Sequence, residues 1–94
     1  MKVIILAFTL VLSSSAFSNE FEAIKNSKKN PEIVISESIE SNRLDLLNTY
    51  VEYNSEQLSK KMAKNALELI SLKLATRADL LNVELVQRLR LIAF

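Results

Sequence analysis

The 94-residue chain contains no cysteine, histidine, glycine or tryptophan, and only one proline. Each absence removes a class of chemistry. Without cysteine and histidine, the common metal sites and nucleophile–base pairs are unavailable. Without glycine there is no phosphate-cradling Walker loop, dinucleotide fingerprint or nucleophile elbow. No serine stands three residues before a lysine, so the Ser-x-x-Lys arrangement is missing too. Carboxylate pairs are present at Glu37/Glu40 and Glu52/Glu56. General acid–base work needs such carboxyls in a cleft with separated pKa values, whereas these spacings describe solvated helix faces. The expectation is a protein that is not an enzyme and holds no cofactor or metal.

Missing cysteines bear on export as well. Lys2 precedes an uncharged apolar run, Val3 to Leu12, and then the small-residue stretch Ser13-Ser14-Ser15-Ala16-Phe17-Ser18. A positive charge, an apolar stretch of about ten residues and a small-x-small end are the parts of a secretory signal peptide. Two cuts fit, after Ser18 or after Ala16. The first is preferred, because Asn19-Glu20-Phe21-Glu22 then opens the mature chain with a polar, helix-starting tetrad. An uncleaved anchor would need roughly 20 apolar residues, and the run turns to serines sooner. Lipoprotein processing, which requires a cysteine, is excluded. The expected organisation is a signal peptide at 1–18 and a single mature domain at 19–94, exported to the periplasm or secreted. Small exported domains usually staple a weak core with disulfides. This one must rely on close helix packing, self-association or a partner.

Charge gives no sign of a nucleic-acid partner, since the formal net charge is only +1. Its distribution is uneven. Residues 19–54 hold four basic and seven acidic side chains, and residues 55–94 hold seven basic and four acidic. The simplest reading is that the two halves pack together and neutralise each other.

Asparagine and serine take over the punctuation that glycine and proline normally supply. Asn30, Asn42 and Asn54 each end one apolar-periodic segment and open the next. Asn30-Pro31-Glu32 is the clearest helix start: a capping side chain, proline at the first helical position and an acid in the first turn. Short helices are expected at about Glu20 to Lys28, Pro31 to Glu40 and Arg43 to Tyr53. The β-branched Ile33-Val34-Ile35 would also suit a strand, but a lone strand has no neighbour to pair with. Asn54 and Gln57 have capping-box spacing for a fourth helix. From there Leu58, Met62, Ala66, Ile70, Leu74, Ala78, Leu81, Leu85, Leu89 and Ile92 form a stripe at steps of three and four. One unbroken helix would be about 55 Å long, too long for a small globule unless it dimerises. A break or bend near Thr76, where Thr76 and Asp79 could form a weak capping box, is the favoured alternative. The fold class is all-α: a bundle of four to five helices, with a short helical hairpin and a long C-terminal helix pair.

Two stretches resemble known families. Residues Glu40 to Glu52 (Glu-Ser-Asn-Arg-Leu-Asp-Leu-Leu-Asn-Thr-Tyr-Val-Glu) resemble the turn and second helix of an ankyrin repeat. The Thr-Pro-Leu-His start is missing, Asn42 stands at the turn glycine, and a solenoid needs about three repeats. The resemblance implies a short helical hairpin and no function. The terminal Phe94 resembles the last residue of outer-membrane barrels, but Arg88 and Arg90 would then face lipid and the helical period does not build a barrel.

Beyond the main stripe, Leu67, Leu69, Leu72, Leu80, Val83, Val86, Leu91 and Phe94 make the C-terminal part apolar over much of its circumference. A peripheral helix needs only one apolar face, so the last helix should be central or covered by something else. Lys60, Lys61 and Lys64 share a basic helix face, and Tyr50 and Tyr53 offer amphipathic contact area. The candidate interface is therefore Tyr50, Tyr53, Lys60, Lys61, Lys64, Leu80, Leu91 and Phe94. The expected role is that of an exported, non-enzymatic protein that binds another protein, as an inhibitor, immunity-type factor or accessory subunit, or that self-associates. The alternative is an amphipathic protein active at a membrane surface.

Overall fold

The computed structural model describes residues 20–94, all helix and connecting turns, with no strand among them. The signal peptide and its cleavage site lie outside the described residues. Helix α1 covers residues 20–25 of the described chain. It is followed by α2 (Pro31–Glu40), α3 (Leu44–Asn54), α4 (Lys60–Thr76) and α5 (Val83–Ala93), with 3-10 turns at Ser55–Gln57 and Ala78–Leu80.

Helix α2 begins as its sequence predicts. The Asn30 side chain accepts from the Glu32 amide at 2.9 Å, Pro31 opens the helix and Glu32 sits in the first turn. The helix ends in a Schellman turn built without glycine. Asn42 adopts φ 62°, while its amide donates to the Ile39 carbonyl at 3.1 Å and the Arg43 amide to the Ser38 carbonyl at 2.8 Å. Asparagine is the residue besides glycine that tolerates this left-handed conformation, so the hairpin between α2 and α3 closes at Asn42.

The long apolar stripe is broken where expected. Helix α4 stops at Thr76, but Thr76 and Asp79 form no capping box: Asp79 instead takes a bidentate grip from Arg77 at 2.9 Å. Helix α5 starts seven residues later at Val83, with Asn82 accepting from the Leu85 amide at 3.0 Å. Asn54 and Gln57 do not cap α4 either. Ser59 does so, its hydroxyl accepting from the Met62 amide at 3.1 Å.

Helix α3 packs between α2 and α5. Leu44, Leu47, Tyr50 and Val51 are buried, and they meet Val34, Ile35 and Ile39 of α2 and Leu85 and Leu89 of α5 in one core. Helix α4 adds Ala63, Ala66 and Ile70 to that core. Its alanines keep the contact face thin, so α4 packs on both α2 and α5. Burying leucines such as Leu47 and Leu85 stabilises the fold by about 1.5–3 kcal/mol each. The last helix thus joins the core through Leu85, Leu89 and Ala93. It packs one face on α3 and α4 and leaves Val83, Leu91 and Phe94 in solvent.

The two halves of the chain do not neutralise each other. Among the described residues one ion pair crosses between them, Arg88 to Glu52 at 3.5 Å. The others stay within their own half, such as Lys29–Glu37 at 3.2 Å, Arg43–Glu20 at 3.0 Å and Arg88–Glu84 at 2.6 Å. The core between the halves is apolar, so it brings few charged side chains together, and the charge asymmetry stays on the surface.

Candidate functional site: the edge where α4 begins and α5 ends

Helices α4 and α5 are joined by a short turn and pack side by side, which brings the start of α4 next to the end of α5. The closest mark of that approach is Lys64, whose Nζ lies 5.4 Å from the centre of the Phe94 ring. This is within range of a cation–π attraction. Phe94 and Leu91, three residues apart, lie on one face of the α5 line and are the most open large apolar side chains described, at 82% and 84% exposure. Lys60 and Lys61 are exposed in the first turn of α4, and Arg90 is exposed one turn before Phe94.

The start of α4 is electrostatically unusual. A helix N-terminus carries partial positive charge and favours acids in its first turn. Helix α4 has none there and places two lysines instead. Among the described residues, Lys60, Lys61, Lys64 and Arg90 form no ion pair. The fold therefore concentrates positive charge at this edge with no carboxylate drawn in to offset it.

Beside the edge runs a cleft of about 210 Å³ between the end of α3 and α5, lined by Val51, Glu52, Ser55, Arg88, Leu91 and Ile92. Arg88 spans it, holding Glu84 and Glu52. The Arg88 guanidinium holds the Glu84 carboxyl below the usual carboxylate range, first through the hydrogen bond and then through its charge.

The candidate residues of the sequence separate into three groups. Lys64 and Phe94 come together at this edge, with Leu91 one turn before Phe94 and Lys60 and Lys61 in the turn of α4 before Lys64. Tyr50 does not belong to it: its ring is 0% exposed in the core beneath, because the period of α3 turns it inward with Leu47 and Val51. Leu80 packs against the core from the Ala78–Leu80 turn and is only partly exposed. Tyr53 is exposed but faces α1, with the Lys25 ammonium 4.6 Å from its ring centre. Arg90 was missed by sequence reasoning. Its position four residues before Phe94 was the available signal, since residues four apart share a helix face.

The paired carboxylates stand on open surface. Glu52 is held by Arg88, Glu37 by Lys29, and Glu40 and Glu56 are exposed. Among the described residues no group of histidine, cysteine or carboxylate side chains is arranged to hold a metal ion. No described helix is long and apolar enough to cross a membrane.

No protein-family model matches the chain, and no curated protein or solved structure matches it either.

Proposed function

We propose that this chain is an exported, non-enzymatic protein that acts by binding another protein chain through the edge formed by Lys60, Lys61, Lys64, Leu91 and Phe94. The observation that carries the reading is the exposure of Leu91 and Phe94, at 84% and 82%, with the Lys64 ammonium 5.4 Å from the Phe94 ring centre. Large apolar side chains gathered on one face and rimmed by polar groups mark interaction surfaces. Aromatic anchors flanked by charge supply both contact area and orientation. The carboxylates that could serve acid–base chemistry lie on open, solvated surface, which favours binding over catalysis. Export rests on the residue pattern of 1–18.

The test compares the native protein with Leu91→Glu. Both are used as bait in an extract of the compartment where the protein accumulates, and circular dichroism is recorded alongside. The expected result is a stoichiometric protein partner held by the native chain and lost by the variant, with helicity unchanged. Equal capture by both would remove the edge as the binding surface. Loss of helicity in Leu91→Glu would be checked with Phe94→Ser, which sits beyond the last helical residue.

A further inference from the structure

The face that Leu91 and Phe94 expose is bordered by charge of one sign. Residues 60–67 of α4 and 85–94 at the end of α5 hold five basic side chains, Lys60, Lys61, Lys64, Arg88 and Arg90, and no acidic one. Arg88 is already engaged by Glu84 and Glu52. The other four are exposed, and among the described residues none forms an ion pair, not even Lys64 with Glu68 one turn beyond it. Lys60 and Lys61 stand four and three residues before Lys64, so helical spacing puts all three on one face of α4. Arg90 and Leu91 stand four and three residues before Phe94. The Phe94 amide bonds the Arg90 carbonyl at 2.9 Å, so the helical turn carries through to Phe94. The Lys64 ammonium, 5.4 Å from the Phe94 ring centre, joins the two faces. Leu91 also lines the cleft of about 210 Å³ with Val51 and Ile92, which extends the apolar surface toward α3.

We propose that the partner of this edge is an acidic protein segment, with apolar side chains set against Leu91 and Phe94 and carboxylates meeting Lys60, Lys61, Lys64 and Arg90. The proposal rests on the reading of the edge as a binding surface and names the chemistry of its partner. Charge complementarity selects that chemistry. Four cations left without carboxylates in their own chain repel a basic segment, and they steer and orient an acidic one. Covering Leu91 and Phe94 supplies the apolar contact, and Lys64 beside the ring places a cation at its border. A surface of anionic lipid fits less well. Glu68 stands four residues after Lys64 and Glu84 seven before Leu91, both exposed on the faces that carry the edge. A lipid plane would meet these carboxylates along with the lysines, whereas a peptide segment stops short of them.

The experiment measures the binding of synthetic peptides to the protein recovered from cells expressing the full sequence, by fluorescence anisotropy and amide chemical-shift mapping. The peptides are amphipathic helices with leucine at helical spacing, and they differ only in whether their polar residues are glutamate, glutamine or lysine. The glutamate peptide should bind at least about tenfold more tightly than the glutamine peptide at low salt. That gap should close near about 1 M salt, where the screening length is roughly 3 Å. The shifts should centre on Lys64, Leu91 and Phe94. The charge-reversed edge K60E/K61E/K64E should keep its helicity and prefer the lysine peptide instead. Leu91→Ser should weaken the glutamate peptide while leaving the order of preference as it is. Equal binding of the glutamate and glutamine peptides overturns the proposal, as does a preference that survives the charge reversal or maps to another face. If the glutamate peptide is not preferred but Leu91→Glu still loses a protein partner from the extract, the acidic segment falls and the binding role of the edge stands. If neither holds, both fall. A native chain that self-associates or binds vesicles of anionic phospholipid, yet ignores the glutamate peptide, also overturns the proposal.

Discussion

The side-chain amide of Asn54 donates to the backbone carbonyl of Lys25 at 3.0 Å, joining the end of α3 to the end of α1 across 29 residues of sequence. The same nitrogen donates to the Tyr50 carbonyl at 3.1 Å, and Gln57 donates to the Asn54 side-chain oxygen at 3.3 Å. Asn54 is buried, so its side-chain amide would otherwise lack a partner. Asn54→Ala should therefore lower unfolding stability by about 1–3 kcal/mol. It should also speed amide hydrogen exchange at Asn26, whose amide bonds the Glu22 carbonyl in α1. Unchanged exchange at Asn26 in a destabilised variant would show that α1 is held by Arg43 and Glu20 instead.

Tyr50 is the opposite case, a buried polar atom with nothing to bond. Its hydroxyl has no hydrogen-bond partner although the ring is fully enclosed. Burial pushes the phenol above its ordinary value of about 10. Above that ordinary value the unfolded chain releases the proton while the folded chain keeps it. The unfolded state then binds fewer protons, so stability falls as pH rises. Tyr50→Phe should remove that part of the alkaline loss. At neutral pH it should be neutral or stabilising by up to about 1 kcal/mol, because no bond is sacrificed. Tyr50→Ala, which opens a cavity, should cost about 3–5 kcal/mol. Chemical denaturation at pH 7 and above pH 10 separates these outcomes. A loss of stability in Tyr50→Phe at neutral pH would mean that the hydroxyl has a partner after all.

Acid limits come from the helix starts. Arg43 holds the Asp45 carboxyl below its usual range, chiefly through their side-chain hydrogen bond. Arg88 does the same for Glu84. A depressed folded pKa contributes stability that is present above the unfolded value, near 4, and is lost as pH falls through the folded value. Both pairs are open to solvent, and screening reduces their worth. Asp45→Asn should cost under about 1 kcal/mol at pH 7. It should flatten the stability curve below pH 4, which urea titrations at pH 3 and pH 7 would measure. An acid slope unchanged in Asp45→Asn would place the loss in other carboxylates.

Local signals in the sequence carried the fold, and the site depended on contacts they do not encode. Asn30-Pro31-Glu32 marked the start of α2 because capping acts within one turn. Thr76 marked the break in the long stripe, although the α5 cap at Asn82 went unread in a chain dense with asparagine. Asn54 and Gln57 have the spacing of a capping box, yet Asn54 turns inward to Lys25, a partner that spacing cannot show. Tyr50 and Tyr53 are alike in sequence, and only the packing around α3 separates the buried ring from the exposed one. Three of the lysines and two apolar residues of the edge were legible singly. Their meeting depends on α4 and α5 lying side by side, a tertiary contact with no local signature.

Asn42 follows from the absence with which the sequence began. At φ 62° it holds a position that glycine fills at no steric cost, and its side-chain oxygen is buried without a partner. Asn42→Gly removes that orphaned atom and the strain of a Cβ in the left-handed region, at the expense of a more flexible unfolded chain. The first two effects should win, raising stability by up to about 1 kcal/mol. Asn42→Ala keeps the Cβ and loses the local tolerance of asparagine, so it should cost about 1–2 kcal/mol. Thermal or urea unfolding of the pair measures the difference. If both variants lose equally, the Asn42 side chain is itself holding the hairpin, and the left-handed turn between α2 and α3 is stabilised by more than its backbone bonds.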